Sequence, residues 1–146
     1  MFTGNLAAQG RSDWSANCST LAESCVLSQT VMSDERIWLS TVRILVDNAA
    51  REGDQASVEF LVPAGVHLAS GLFAAVGPNQ PKEASWVTCS PTVCLAEMTL
   101  TQGELAQWKQ MVTAELRYRP RLESDVAAFN ISLIGLTAGL FVEKAS

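Results

Sequence analysis

The sequence predicts an all-β domain, a disulfide-stapled β-sandwich of short antiparallel strands with one short helix. Two observations carry that expectation. Short segments rich in Val, Ile, Thr and aromatic residues recur between turns built on Gly, Pro, Asn and Ser, which is the spacing of a sandwich or barrel. Four cysteines fall in two close pairs, Cys18/Cys25 and Cys89/Cys94, and an even, paired set suits an oxidising compartment.

Residues 1–11 are Gly-, Ala- and polar-rich without a period and read as a flexible terminus. Residues 12–142 form the expected single domain. Its first strand spans Asp13 to Cys18 around Trp14, and its second Cys25 to Met32. After the turn Ser33-Asp34-Glu35-Arg36, the segment Ile37 to Val46 is apolar on both faces, as a central strand requires. A polar loop over 47–54 leads to Gln55 to Val62, where Val58, Phe60 and Val62 share one face and Glu59 takes the other. Pro63-Ala64-Gly65 ends that strand, because Pro lacks a ladder donor. Val66 to Val76 reads as two short strands broken at Ser70-Gly71 by a bulge or tight turn. Beyond the loop Gly77 to Pro81, Trp86–Cys89 and Val93–Leu100 make a hairpin across Ser90-Pro91-Thr92.

The one credible helix runs over Gln102 to Gln110. Thr101 can cap it and Glu104 stands three residues later, as in a capping box. Leu105 and Trp108 then share a face. Val112 to Arg119 alternates apolar and polar residues as a half-buried strand does. Val126 to Leu133 follows, and Gly135 to Val142 can add a short strand.

Composition excludes several functions. Of 146 residues 48% are hydrophobic and 17% charged, with 15 acidic against ten basic side chains. That is too apolar for a disordered chain. A net charge of −5 argues against nucleic-acid partners and against electrostatic docking on anionic lipid. No segment is an uninterrupted apolar membrane span. The first residues lack the basic and apolar regions of a secretory signal, so either a leader has been removed or there was none.

Free buried thiols and a zinc site are the rival readings of the cysteines. Six residues separate Cys18 from Cys25 and four separate Cys89 from Cys94. The first spacing is poor for a zinc knuckle. Of three connectivities, the two local bridges are favoured.

Little suggests catalysis, so no catalytic residue, metal or cofactor is assigned. His67 is the only histidine, and any Ser–His or Cys–His site would have to be built on it. The carboxylate pairs Asp34/Glu35, Glu52/Asp54 and Glu123/Asp125 read as solvated turns. Trp14 and Trp86 each precede a cysteine and fit core packing against the bridges. Trp38 and Trp108 are the candidate binding surface, since an exposed Trp is a favoured anchor.

Five pieces in order carry a resemblance: Asp13-Trp14-Ser15-Ala16-Asn17-Cys18 with Glu23 to Gln29; Phe60 to Leu68 with Ser70-Gly71-Leu72; Trp86-Val87-Thr88-Cys89; Cys94-Leu95-Ala96-Glu97; and Asn130 to Leu136. Over residues 13 to 140 the chain resembles the invasion-associated locus B (IalB) family of bacterial envelope proteins. It departs in the close first cysteine pair and in Leu136, where the family often has Phe. The resemblance implies an exported, periplasmic or extracellular sandwich with both cysteine pairs bridged and no established catalytic residues. The expected function is non-catalytic binding of an unknown envelope or host protein. The alternatives are a structural or stress-protective protein and, further off, a small hydrolase. Open sheet edges also allow a homodimer.

Overall fold

The computed structural model describes residues 13–19, 24–47 and 56–136. They form nine strands and one helix: β1 (Ser15–Ser19), β2 (Ser24–Met32), β3 (Trp38–Asp47), β4 (Ala56–Pro63), β5 (Leu72–Ala75), β6 (Lys82–Cys89), β7 (Val93–Leu100), α1 (Gln102–Gln110), β8 (Thr113–Tyr118) and β9 (Ala127–Ser132). Every pairing is antiparallel, in the order β1-β2-β3-β4-β7-β6-β5-β8-β9. The expected flexible terminus, the 47–54 loop beyond Asp47 and most of the Gly135–Val142 strand lie outside the described residues.

The all-β expectation holds, with a refinement. The two layers are one sheet curled over at β6. That strand gives Lys82–Ala84 to β5 and Ser85–Cys89 to β7, with a register shift between Trp86 and Thr88. A strand that changes partners through a bulge makes a corner, because the bulge bends it and increases its twist. The far edges then approach each other. The Gln29 side-chain amide donates to Ser132 O and accepts from Ser132 N, each at 2.8 Å, so it stands in for a backbone partner on the edge strand β9. Asp13 N donates to Ile134 O at 3.1 Å.

Alternation builds the core between the layers. Ala56, Val58, Phe60 and Val62 of β4 are buried, as are Val42 and Ile44 of β3. Opposite them lie Leu72, Leu116 and Ile131. Tyr118 reaches across and donates its hydroxyl to Leu39 O at 2.7 Å. Burial raises its pKa to about 12 by disfavouring the phenolate.

The two expected strands within Val66–Val76 are one. Leu68–Ser70 is a 3-10 turn, and Gly71 follows at φ +80°. A Cβ at Gly71 would lie 2.8 Å from a Glu83 carboxylate oxygen and 2.9 Å from the Phe73 ring. Glycine therefore satisfies both the left-handed backbone and the close approach.

Candidate binding surface

The registers sort the described turns to one of two ends. β2 ends where β3 begins, at the Met32–Trp38 pair. Pro63 pairs with Val93, Cys89 with Cys94, Leu72 with Tyr118, and Tyr118 with Ala127. Residues 33–37, 64–71, 90–92 and 119–126 therefore gather at one end, the loop end. Cross-links hold them together: Ala64 N donates to Thr92 O at 3.0 Å, and His67 N to Arg119 O at 2.9 Å. Loop 76–81 and α1 occupy the opposite end.

The helix end is closed by packing. The Thr101 hydroxyl accepts from Glu104 N, and the Glu104 carboxylate accepts from Thr101 N, which completes the expected capping box. Lys82 Nζ donates to Glu104 at 2.7 Å and to Thr99 O at 2.6 Å. The Lys82 hydrogen bond, then the Thr101 backbone bond, hold the Glu104 carboxyl below its ordinary value. Leu105 and Trp108 are buried beneath the helix, at 4% exposure each. Trp108 is thus a core residue, and its place in the expected binding surface is corrected. The i, i+3 pattern that predicts the helix also turns Trp108 inward with Leu105.

The loop end is different. Among the described residues eight large hydrophobic side chains are exposed, and six of them sit here: Met32, Ile37, Leu68, Val87, Leu122 and Val126, at 44–68% exposure. Met111 and Val112 are the two at the other end. Trp38 is half-buried beside Met32 and Ile37, and its indole N–H donates to Thr41 Oγ1 at 3.0 Å. Of the two expected tryptophans, only Trp38 lies at the loop end and is partly exposed. Sequence reading passed over the aliphatic tips because Ile37 and Val126 looked like strand ends and Leu122 lies in a charged turn. An aliphatic residue among turn charges was the available signal.

The Cys89–Cys94 disulfide closes the hairpin at this end, as expected. Its turn is also held by hydrogen bonds. Ser90 N donates to Val93 O at 2.7 Å, and Ser90 Oγ accepts from Val93 N at 3.1 Å. Cys18 and Cys25 are register partners between β1 and β2, near the helix end. Their sulfur atoms lie outside the described residues.

His67 also lies at the loop end, where its Nδ1 and Ser70 Oγ are 2.7 Å apart. Arg119 Nε donates to the same hydroxyl at 3.2 Å, and Arg119 Nη1 donates to Ser124 O. The recorded partners of His67 are Ser70 and the Arg119 carbonyl, with no carboxylate among the described residues. The arrangement ties the 64–71 and 119–126 loops together. Trp86 joins them by donating to Leu68 O at 3.0 Å. Among the described residues no group of three or more His, Cys, Asp or Glu is placed to hold a metal, and no helix is long and apolar enough to cross a membrane.

Comparison with known proteins places these features in a family. The solved structure of invasion associated protein B from Bartonella henselae superposes with a TM-score of 0.75, covering 91% of this chain and 92% of that one at 16% identity. At that identity the likeness speaks to the fold. Invasion protein B homologs from two Brucella abortus strains, 2308 and biovar 1 strain 9-941, are each 26% identical over 133 residues, covering 88% of this chain and 73% of the relative. The family model described as invasion associated locus B (IalB) protein matches residues 14–142. The chain belongs to the invasion associated locus B family.

Proposed function

We propose that this chain is an exported, non-catalytic binding protein of the bacterial envelope that engages an envelope or host component through its loop end. One observation carries the reading: six exposed Met, Ile, Leu and Val side chains, four on three connections and two at or near strand ends, lie at one end of a sheet whose other end carries a helix. Exposed apolar side chains concentrated on one side of a molecule are a pattern associated with interaction sites. The oxidising compartment rests on the Cys89–Cys94 bridge and on Cys18 standing opposite Cys25. We extend the bridge assignment to that first pair. Alkylation and peptide mapping with and without reductant test it. Four thiols labelled without reductant would remove both the bridges and the exported compartment.

Binding of the purified chain to isolated envelope fragments and to host-cell surfaces tests the function. Saturable retention that falls with Ile37→Asp and Leu122→Asp, and persists with Val112→Asp at the helix end, is the expected result. Retention insensitive to all three would move the site elsewhere. No saturable retention on either surface would leave the structural or stress-protective alternative.

A further inference from the structure

We infer that the open edge of β9 is a self-association site, at which β9 of one copy pairs antiparallel with β9 of a second copy about a two-fold axis at Phe129. This goes beyond the proposed function and does not depend on the loop end.

The hydrogen-bond phase of β9 is the first reason. Leu133 N donates to Val112 O, on the β8 side. Ile131, Phe129 and Ala127 therefore turn their backbone groups the same way, toward their register partners Ala114, Leu116 and Tyr118. Ser132, Asn130 and Ala128 turn theirs outward, because these groups alternate along an antiparallel strand. At Ser132 the Gln29 amide meets both groups. At Asn130 and Ala128 nothing does among the described residues, since β9 is the last strand of the sheet. Both residues are exposed. An unpaired edge is a template for another strand, and proteins usually guard it with charge, Pro or a bulge. Ala127–Ser132 holds no charged residue and no Pro, and its register with β8 runs without a shift.

The match to a second copy is the second reason. Two-fold pairing at Phe129 sets Ala128 opposite Asn130 of the partner subunit, and the reverse. Each such pair exchanges two backbone bonds, so the free groups of both residues are satisfied. The pairing stops where Gln29 begins, because Val126, which would come opposite Ser132, lies outside the strand. Phe129 falls in the non-hydrogen-bonded pair on the axis, where side chains approach most closely. Its ring packs on the core and edge-to-face on Tyr118, with centroids 6.0 Å apart, yet stays half-buried. Phe129 of the partner subunit would cover more of it and complete an aromatic cross-strand pair. A second copy also brings its strand already ordered, whereas a free peptide would lose backbone entropy for the same few bonds. The other edge strand, β1, offers less: Ser15, Ala16 and Asn17 are exposed, and none is a large apolar side chain. Antiparallel pairing of β9 points the two loop ends in opposite directions.

Sedimentation equilibrium of the full chain over a range of concentrations tests the inference, together with hydrogen exchange at the Ala128 and Asn130 amides. The expected result is a reversible monomer–dimer equilibrium in which both amides gain protection as the dimer forms. Ala128→Lys puts a charge on the edge and should weaken dimerisation about tenfold. Asn130→Pro, which removes an outward N–H, should weaken it by a similar factor. Ala16→Lys, the identical change on β1, should leave the equilibrium as it is. Thermal midpoints close to the parent's show that the variants fold. A chain that stays monomeric up to about 1 mM overturns the inference, and so does a dimer that Ala128→Lys leaves intact. Amides protected equally at every concentration overturn it too, because the chain's own residues would then cover the edge. Retention through the loop end is read with other variants, so the two readings fail separately.

Discussion

The two ends of this molecule are built from the same alternating strands and differ in what finishes them. At the helix end α1 buries Leu105 and Trp108, and a capping box and the Lys82–Glu104 pair hold the helix start. At the loop end connections cross-link through backbone and His67–Ser70–Arg119 hydrogen bonds and through Cys89–Cys94, yet leave aliphatic tips in water. Apolar surface contributes to stability only where something covers it. The helix end therefore carries stability and the loop end carries surface. Substitutions at the two ends should separate these properties.

The largest effect on stability is expected from Trp108→Ala. Emptying a buried indole site should cost about 3–5 kcal/mol, read as a lower denaturant midpoint at unchanged slope. A loss below about 1 kcal/mol would show that the helix end is not the stability centre. Next comes removal of the Cys89–Cys94 bridge by paired Ser and Ala substitution. Closing so short a loop contributes about 2 kcal/mol in the chain-entropy model. The Ser90 hydrogen bonds should hold the hairpin, so native hydrogen-exchange protection of β7 should persist. Its collapse would mean that the loop end depends on the bridge.

Thr101→Ala should cost about 1 kcal/mol, the usual worth of a cap. Acid should weaken the same corner. The folded Glu104 carboxyl titrates below the ordinary value of 4.5, so its contribution is present above that pH and fades as pH falls through the lower folded value. Lys82→Met should flatten this part of the stability–pH curve, and an unchanged curve would remove Lys82 as the main cause. The smallest stability effect belongs to Leu122→Asp. A side chain 68% exposed should change stability by no more than about 0.5 kcal/mol, while the same substitution diminishes binding. A large loss of stability would show that the tip is packed in solution and sink its role as a free surface.

Local signals were legible where one segment settled its own structure. Thr101 and Glu104 announce α1, and its observed bounds match the expected ones. Alternation around Phe60 and Leu116 gives the inward faces of β4 and β8. The 66–76 stretch misled because apolar content was read as strand. His67–Ser70 pairing and the close packing at Gly71 select a 3-10 turn there. Trp108 misled because a tryptophan's type does not say whether a partner layer covers it.

By itself, then, the sequence determined the β-rich class, the helix and its cap, the local cysteine pair at the 90–92 turn and the alternation of most strands, because each depends on residues a few positions apart. Only the tertiary structure decided that the sheet curls at β6, that Gln29 bridges to Ser132 across 103 positions, and that Ile37, Leu68 and Leu122 share one end. Those depend on which strands become neighbours, a choice made by burying all the inward faces in one core, and no single segment encodes it.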